Sequence, residues 1–139
     1  EDDHISYYLA AGRGVFSGDT ILGNSSSSVR NLRQYMKSLE LLARLKPAML
    51  FPGHGQIIQN GTARIQWYID HRQQREDQVV SAIKGGASIV EEIVRSVYPR
   101  NLRKNLRNAA ARNVRTHLEK LREEGRVAED SATYTLASP

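Results

Sequence analysis

Residues 49–55 decide the fold, and they read Met49-Leu50-Phe51-Pro52-Gly53-His54-Gly55. The apolar residues that open this stretch come shortly after a proline and directly before a turn, which is typical of the end of a buried strand. Pro52 ends that strand, and the glycines on either side of His54 let the backbone turn sharply around it. An imidazole on such a turn can bind a metal ion or transfer a proton. A hydrogen-bonded loop histidine with neither role is the alternative that this stretch leaves open.

A second turn with a possible ligand precedes this stretch. Residues 4–9 alternate in character and predict a strand, which a turn over residues 10–14 joins to a second strand beginning at Val15. That strand runs into Ser17-Gly18-Asp19-Thr20, so Asp19 stands at a strand end, where functional residues of layered folds often lie. A turn or helix-capping aspartate is the alternative for Asp19.

The order of elements in the first half predicts an α/β sheet with a helix packed on it. Apolar residues recur at helical spacing from Val29 to Leu45, with Ser28 as the N-cap, and Pro47 ends the helix before the strand at residues 49–51. Such a strand–helix–strand unit is too small to close a layered sandwich. We therefore expect residues 1–61 to be the last portion of a larger domain.

The second half predicts a different small domain. A long helix with a strongly polar middle is expected within residues 62–86 and is interpreted as a linker. A short helix ending before Pro99 follows, and then an apolar pattern over residues 102–121 that indicates one helix or a close pair. Two short strands complete the chain. Helices followed by a hairpin are typical of an α+β winged-helix domain, here over residues 87–139.

Composition excludes some kinds of site and points to a class of partner. The 139 residues include no cysteine, so any metal must be held by histidine and carboxylate. No apolar run approaches the length of a membrane span, and we expect no membrane partner. The net charge is +5, yet residues 100–126 alone hold nine basic residues against three glutamates. This concentration suggests a polyanion partner, although a solvated helical face gives the same pattern.

The ordered set of motifs resembles the metallo-β-lactamase fold hydrolases, and among them the β-lactamase-like protein 2 family, which carries a C-terminal winged-helix domain. Asp19 and His54 lie 35 residues apart with a helix and a strand between them, as do that family's bridging aspartate and last metal histidine. Asp2-Asp3-His4 is similar to the residues after the family's Thr-Pro-Gly-His-Thr motif, and residues 68–72 are similar to its linker helix. The resemblance implies a partial αββα metallo-β-lactamase sandwich followed by the winged helix.

The resemblance also implies a zinc enzyme of which this chain holds a part. Two zinc ions would share Asp19, His54 would bind one of them, and no catalytic residue is implied beyond metal-bound water. The family's His-x-His-x-Asp-His motif and the histidine of its Thr-Pro-Gly-His motif do not occur here. We therefore expect the missing N-terminal half of the catalytic domain as a partner, and this chain alone to be inactive. His4 is expected to support the ligands, or to be a strand-end surface histidine.

The basic tail and the resemblance together favour single-stranded RNA as substrate, and an endoribonuclease as the activity. The residues expected to contact phosphates are Arg103, Lys104, Arg107, Arg112 and Arg115. The alternatives are an acyl-thioester hydrolase of the glyoxalase II type and a non-catalytic winged-helix module that binds nucleic acid or protein. His71 is predicted to be a helix-surface residue, with an approach to the metal site from the linker helix as the alternative, and His117 is predicted to be at the surface as well. The resemblance implies an intracellular location, in the cytoplasm or the mitochondrial matrix.

Overall fold

The structure is a computed structural model that describes residues 5–22 and 29–137. The chain divides into two compact units, unit 1 (Glu1–Arg72) and unit 2 (Gln73–Pro139), and the division falls inside the longest helix. Each unit has its own apolar core, so the two are described separately. The domain boundaries proposed at residues 61 and 86 stay a prediction.

Unit 1 is built on a three-stranded sheet. Strands β1 (Tyr7–Leu9) and β2 (Gly14–Gly18) form an antiparallel hairpin around a single 3-10 turn at Ala10–Gly12. Strand β3 (Met49–Pro52) pairs with β2 in parallel, and the chain returns to it through helix α1 (Leu32–Arg44). A parallel neighbour needs such a crossover, because both strands must enter the sheet from the same edge. The predicted hairpin and the strand–helix–strand unit are therefore confirmed.

Helix α1 begins three residues later than the prediction from Ser28 required. The side chain of Asn31 accepts a hydrogen bond from the backbone N–H of Gln34 at 2.9 Å and caps the helix. Ser28 lies outside the described residues. Asparagine and serine cap helices about equally well, so propensity alone could not choose between the two positions.

The two faces of the sheet differ in what covers them. On one face, Val15 and Leu50 are fully buried against α1 and the first turns of α2 (Gly61–Lys84). On the other face, Tyr7, Phe16 and Phe51 are direct neighbours across the three strands, and the rings of Phe16 and Phe51 stack with centroids 4.7 Å apart. Tyr7 is 69% exposed and Phe16 is 47% exposed. Within residues 5–22 and 29–137, this second face is apolar and open to solvent.

Unit 2 has the predicted winged-helix order. The C-terminal part of α2 is followed by α3 (Val90–Val97), α4 (Lys104–Glu123) and the antiparallel hairpin β4 (Val127–Asp130) and β5 (Thr133–Leu136). The pattern over residues 102–121 is thus one helix and not a pair. The buried core of this unit consists of apolar residues from all three helices and from strand β4: Val79, Ala82, Ile83, Ile93, Val94, Ala110, Val114, Leu118, Leu121 and Val127.

Among the helices that the structure describes, none combines the length and the apolar character needed to cross a membrane.

Candidate functional site

The ends of strands β2 and β3 meet because the strands are parallel neighbours. Gly18 pairs with Pro52, and the backbone N–H of Gly53 donates a hydrogen bond to the carbonyl oxygen of Gly18 at 2.8 Å. Asp19 and His54 are carried on the turns that follow these strands. Backbone pairing thus brings together the two predicted metal ligands, which lie 35 residues apart in the sequence.

The Asp19 carboxylate and the His54 imidazole face each other at the protein surface. His54 Nε2 lies 3.6 Å from Asp19 Oδ1, and the two side chains are 80% and 63% exposed. A direct N–H···O hydrogen bond would need a distance of about 2.7–3.2 Å. Two ligand atoms of one tetrahedral zinc ion, each about 2.1 Å from the metal, would lie about 3.4 Å apart. The observed spacing suits a shared cation better than a direct hydrogen bond.

A side chain at position 53 would crowd the approach of the loop after β3 to Asp19. A Cβ atom at position 53 would lie 3.0 Å from Asp19 Oδ1 and 3.2 Å from the carbonyl carbon of Gly18. Gly18 itself has a φ of +51°, and Gly55 has a φ of +95°, both in the region that favours glycine. Glycines therefore shape both turns that carry the candidate ligands.

Asp19 and His54 supply an oxygen and a nitrogen ligand, a combination that zinc accepts. Catalytic zinc sites use three protein ligands and structural sites use four. Residues 5–22 and 29–137 contain no cluster of three or more histidine, cysteine, aspartate or glutamate side chains with metal-binding geometry. The donor set thus fits two ligands of a metal site and not a whole one. His4 lies outside the described residues.

The five predicted phosphate-contacting residues are all exposed. Arg103 is the N-cap of α4, with a φ of −59° and a ψ of 152°, and is not part of the helix. At about 100° per residue, the other four fall within about 140° of the helix circumference, in the order Arg107, Lys104, Arg115 and Arg112. Arg107 is fixed by a hydrogen bond from its Nη2 to the carbonyl of Arg100 at 3.2 Å. Four of the five cations therefore share one broad face of α4.

The hairpin of β4 and β5 is acidic where it lies next to α4. Strand β4 ends in Glu129 and Asp130, and Arg122 Nη1 lies 3.1 Å from Glu129 Oε2. The same carboxylate group accepts a hydrogen bond from the hydroxyl of Tyr134 at 3.1 Å, and burial together with this bond raises the pKa of Tyr134. Carboxylates on this hairpin oppose phosphate binding there.

His117 is not at the surface, and that prediction was wrong. Its side chain is fully buried, with Nδ1 3.9 Å from Glu76 Oε2. His117 shares the buried stripe of α4 with Val114 and Leu121, three and four residues away, a spacing that could have indicated its burial. His71, in contrast, is partly exposed on α2 and stacks on Trp67 with ring centroids 5.1 Å apart.

Sequence reasoning also missed a buried carboxylate in the polar middle of α2. Glu76 is only 2% exposed, and its two oxygens accept hydrogen bonds from Lys120 Nζ at 2.7 Å and Arg126 Nη1 at 2.6 Å. Burial would raise the pKa of Glu76, but the imidazole of His117 and these two cations outweigh it and lower the pKa to about 2. Glu76 is therefore an ionised side chain inside the core of unit 2.

Comparisons with known families agree with this architecture. Residues 1–54 match the model of the metallo-β-lactamase superfamily, and residues 90–134 match that of the β-lactamase associated winged helix domain. The two matches fall on the part that carries Asp19 and His54 and on the part that carries α4.

Three relatives show how far the likeness extends. A β-lactamase-like protein 2 homolog from Drosophila melanogaster is 39% identical over 128 residues, which cover 90% of this chain and 43% of that protein. An atrochrysone carboxyl ACP thioesterase from Aspergillus fumigatus is 32% identical over 110 residues, or 70% of this chain and 35% of that protein. The crystal structure of a metallo-β-lactamase family protein from Thermus thermophilus matches 94% of this chain and 44% of its own length, with 25% identity and a TM-score of 0.73. The chain spans less than half the length of these relatives.

Proposed function

Since the chain belongs to the metallo-β-lactamase superfamily and carries the winged-helix domain associated with it, we propose that it contributes two metal ligands to a zinc-dependent hydrolase. The observation that carries this proposal is the parallel pairing of β2 and β3, which sets Asp19 Oδ1 and His54 Nε2 3.6 Å apart at the surface. Members of this superfamily are hydrolases, and the donor atoms are those that a zinc site would use.

Asp19 and His54 would hold the metal, and their turns would keep the two donors in place. Zinc, when bound, acts as a Lewis acid and lowers the pKa of a water molecule bound to it toward about 7. The remaining ligands would come from further polypeptide, in the same or another chain. On its own the present chain would then be inactive.

The open face of the sheet in unit 1 supports such a partner. Tyr7, Phe16 and Phe51 form an apolar row across the three strands, and two of the three rings stack. Large contiguous apolar surfaces are unusual on monomeric soluble domains and commonly mark an interface. We propose that the remainder of the catalytic domain packs on this row, next to the edge at which Asp19 and His54 stand.

We propose single-stranded RNA as the substrate. Arg103, Lys104 and Arg107 are exposed in and just before the first turn of α4, where the helix has no buried residue before Ala110. Exposed cations there can contact successive phosphates of a flexible single strand that follows the helix surface. Such contacts do not depend on base sequence.

A second candidate function rests on one of the relatives. The protein from Aspergillus fumigatus is described as an atrochrysone carboxyl ACP thioesterase, and it shares 32% identity with this chain. Attack on a thioester carbonyl uses the same metal chemistry as attack on a phosphodiester. In this case the basic start of α4 would serve a different anionic partner or none.

Charge reversal at the start of α4 distinguishes these candidates. We expect the triple variant Arg103→Glu, Lys104→Glu, Arg107→Glu to bind single-stranded RNA more weakly and with less salt dependence. Each phosphate contact that is lost removes about 0.7 from the slope of log K against log salt, so three lost contacts remove about 2. Binding of a labelled oligonucleotide, measured by fluorescence anisotropy at several salt concentrations, gives both quantities.

A matched control reverses three cations elsewhere. Arg30, Lys37 and Arg44 lie in unit 1 on and beside α1, and their replacement by glutamate changes the net charge by the same amount. We expect the control to keep most of the salt slope. Equal slopes for the two triple variants would argue against RNA binding by α4. Retained thioesterase activity in both, measured in a polypeptide or complex that contains the complete catalytic domain, would favour the second candidate.

A further inference from the structure

The four residues Asp19 to Leu22 follow β2, and neighbouring parts of unit 1 hold their backbone in place. The turn begins with a hydrogen bond from the backbone N–H of Thr20 to the carbonyl of Ser17 at 3.0 Å. Ile21, two residues after Asp19, is fully buried in the core of unit 1. The backbone on either side of the Asp19 carboxylate is therefore held, although the carboxylate itself is 63% exposed.

Three successive carbonyl groups in this segment each accept a hydrogen bond from a side chain. Ser17 Oγ donates to the carbonyl of Ile21 at 3.1 Å, within the same turn. Tyr35 Oη, on α1, donates to the carbonyl of Thr20 at 2.8 Å. The third carbonyl, that of Leu22, is bonded by two side chains of α2, Tyr68 Oη and Arg64 Nη2, each at 3.3 Å.

The hydroxyl of Tyr68 makes two hydrogen bonds, both with the backbone of Leu22. It donates to the carbonyl of Leu22 and accepts from the backbone N–H of Leu22 at 3.2 Å. The ring of Tyr68 is 1% exposed and packs in the core, so the side chain has little freedom of its own. A rigid side chain that satisfies both the donor and the acceptor of one residue fixes the path of the backbone there.

We propose that Tyr35 and Tyr68 are positioning residues for the Asp19 carboxylate. By tying the carbonyls of Thr20 and Leu22 to α1 and α2, they hold Asp19 at the end of β2, where its carboxylate faces the His54 imidazole. Loss of a hydrogen bond made to a metal-binding side chain itself typically costs about 10- to 100-fold in metal affinity. The two tyrosines act on Asp19 through its neighbouring backbone, so we expect the low end of that range. This inference rests on the proposed metal site at Asp19 and His54.

The double variant Tyr35→Phe, Tyr68→Phe tests the proposal, because phenylalanine keeps both rings in the core and removes only the hydroxyls. We expect its dissociation constant for Zn²⁺ to be about 10-fold higher than that of the unmodified chain. The measurement is a Zn²⁺ titration of a polypeptide or complex that contains the complete catalytic domain, with this chain ¹⁵N-labelled, followed by NMR at the signals of Gly53 and His54. Thermal unfolding of each variant reports any loss of stability separately.

The matched control is Tyr98→Phe in unit 2. Tyr98 Oη accepts a hydrogen bond from Asn113 Nδ2 at 2.8 Å, so this variant also removes a bonded phenolic hydroxyl, but far along the chain from Asp19. We expect its dissociation constant for Zn²⁺ at Gly53 and His54 to be unchanged. The single variants Tyr35→Phe and Tyr68→Phe serve the same test if the double variant does not fold.

Asp19→Asn separates failure of this proposal from failure of the metal site. If Asp19→Asn abolishes the response of Gly53 and His54 to Zn²⁺ while the phenylalanine variants bind as tightly as Tyr98→Phe, the positioning role is overturned and the metal site stands. If Asp19→Asn binds Zn²⁺ as the unmodified chain does, or if that chain shows no response, both the positioning role and the metal site are overturned. If the phenylalanine variants bind Zn²⁺ more weakly than Tyr98→Phe and Asp19→Asn shows no response, the positioning role and the metal site are both supported.

Discussion

Replacement of His54 by alanine, or of Asp19 by asparagine, should abolish hydrolysis in a polypeptide or complex that contains the complete catalytic domain. Each change removes one metal ligand from a site that has few. We expect the turnover number to fall by more than the roughly 10- to 100-fold that loss of a residue supporting a ligand costs. The fold should survive, because both side chains are more than half exposed and neither belongs to the core of unit 1.

Turnover of single-stranded RNA and of an acyl thioester, together with the zinc content of each purified variant, measures this effect. Asp77→Asn is the matched control, since Asp77 is an exposed carboxylate on α2 whose Oδ1 accepts a hydrogen bond from Gln73 at 3.0 Å. The control should keep its activity. Unchanged turnover of both substrates in Asp19→Asn or His54→Ala would show that the assigned residue is not a ligand.

Replacement of Glu76 by glutamine should have the largest effect on the stability of unit 2. Lys120, whose side chain is 12% exposed, would lose the more buried of its two carboxylate partners, and Arg126 would lose the nearer of its two. Removal of one member of a buried ion pair typically costs about 3–5 kcal/mol in the free energy of unfolding. Because the Arg126 side chain is 45% exposed and can turn to water, we expect the low end of this range.

The pH dependence of this stabilisation follows from the lowered pKa of Glu76. In the folded chain that pKa is about 2, against an ordinary value of 4.5. A carboxyl whose folded pKa is depressed stabilises the fold fully above its unfolded pKa, and that stabilisation is lost as the pH falls through the folded value. The difference in unfolding free energy between the unmodified chain and Glu76→Gln should therefore be constant above about pH 5.5 and shrink steadily toward about pH 2.

Urea unfolding at a series of pH values, followed by a probe in unit 2, measures this difference. Glu124→Gln provides the control, because Glu124 also contacts Lys120 but is 28% exposed. A partly exposed pair of this kind contributes about 0.3–0.5 kcal/mol. If Glu76→Gln cost no more than Glu124→Gln at neutral pH, the ion pairs of Glu76 would not stabilise the unit.

The local sequence was sufficient to predict the elements that carry the site. The turn signals around Gly18 and around Pro52 to Gly55 mark two strand ends, and strand–helix–strand order makes those strands parallel neighbours. Once they are parallel, Asp19 and His54 must stand at one edge. Their roles as ligands came from the family resemblance, and the distance of 3.6 Å between Oδ1 and Nε2 came only from the structure.

Features that depend on partners distant in the sequence could not be predicted from local patterns. Glu76 lies in a run of polar residues, and its burial is set by Lys120 and Arg126, which lie 44 and 50 residues away. The hydroxyl of Tyr68 meets Leu22 across 46 residues. The sequence did not predict Asn31 as the N-cap of α1 in place of Ser28. Both residue types suit that position, and only the path of the preceding chain decides between them.

Anomalous diffraction at the zinc edge tests the central claim most directly, on crystals of a polypeptide or complex that contains the complete catalytic domain grown with Zn²⁺. The predicted result is a zinc peak about 2.0–2.2 Å from both a carboxylate oxygen of Asp19 and the Nε2 atom of His54. A fully occupied zinc site in that domain whose ligands include neither Asp19 nor His54 would contradict the account.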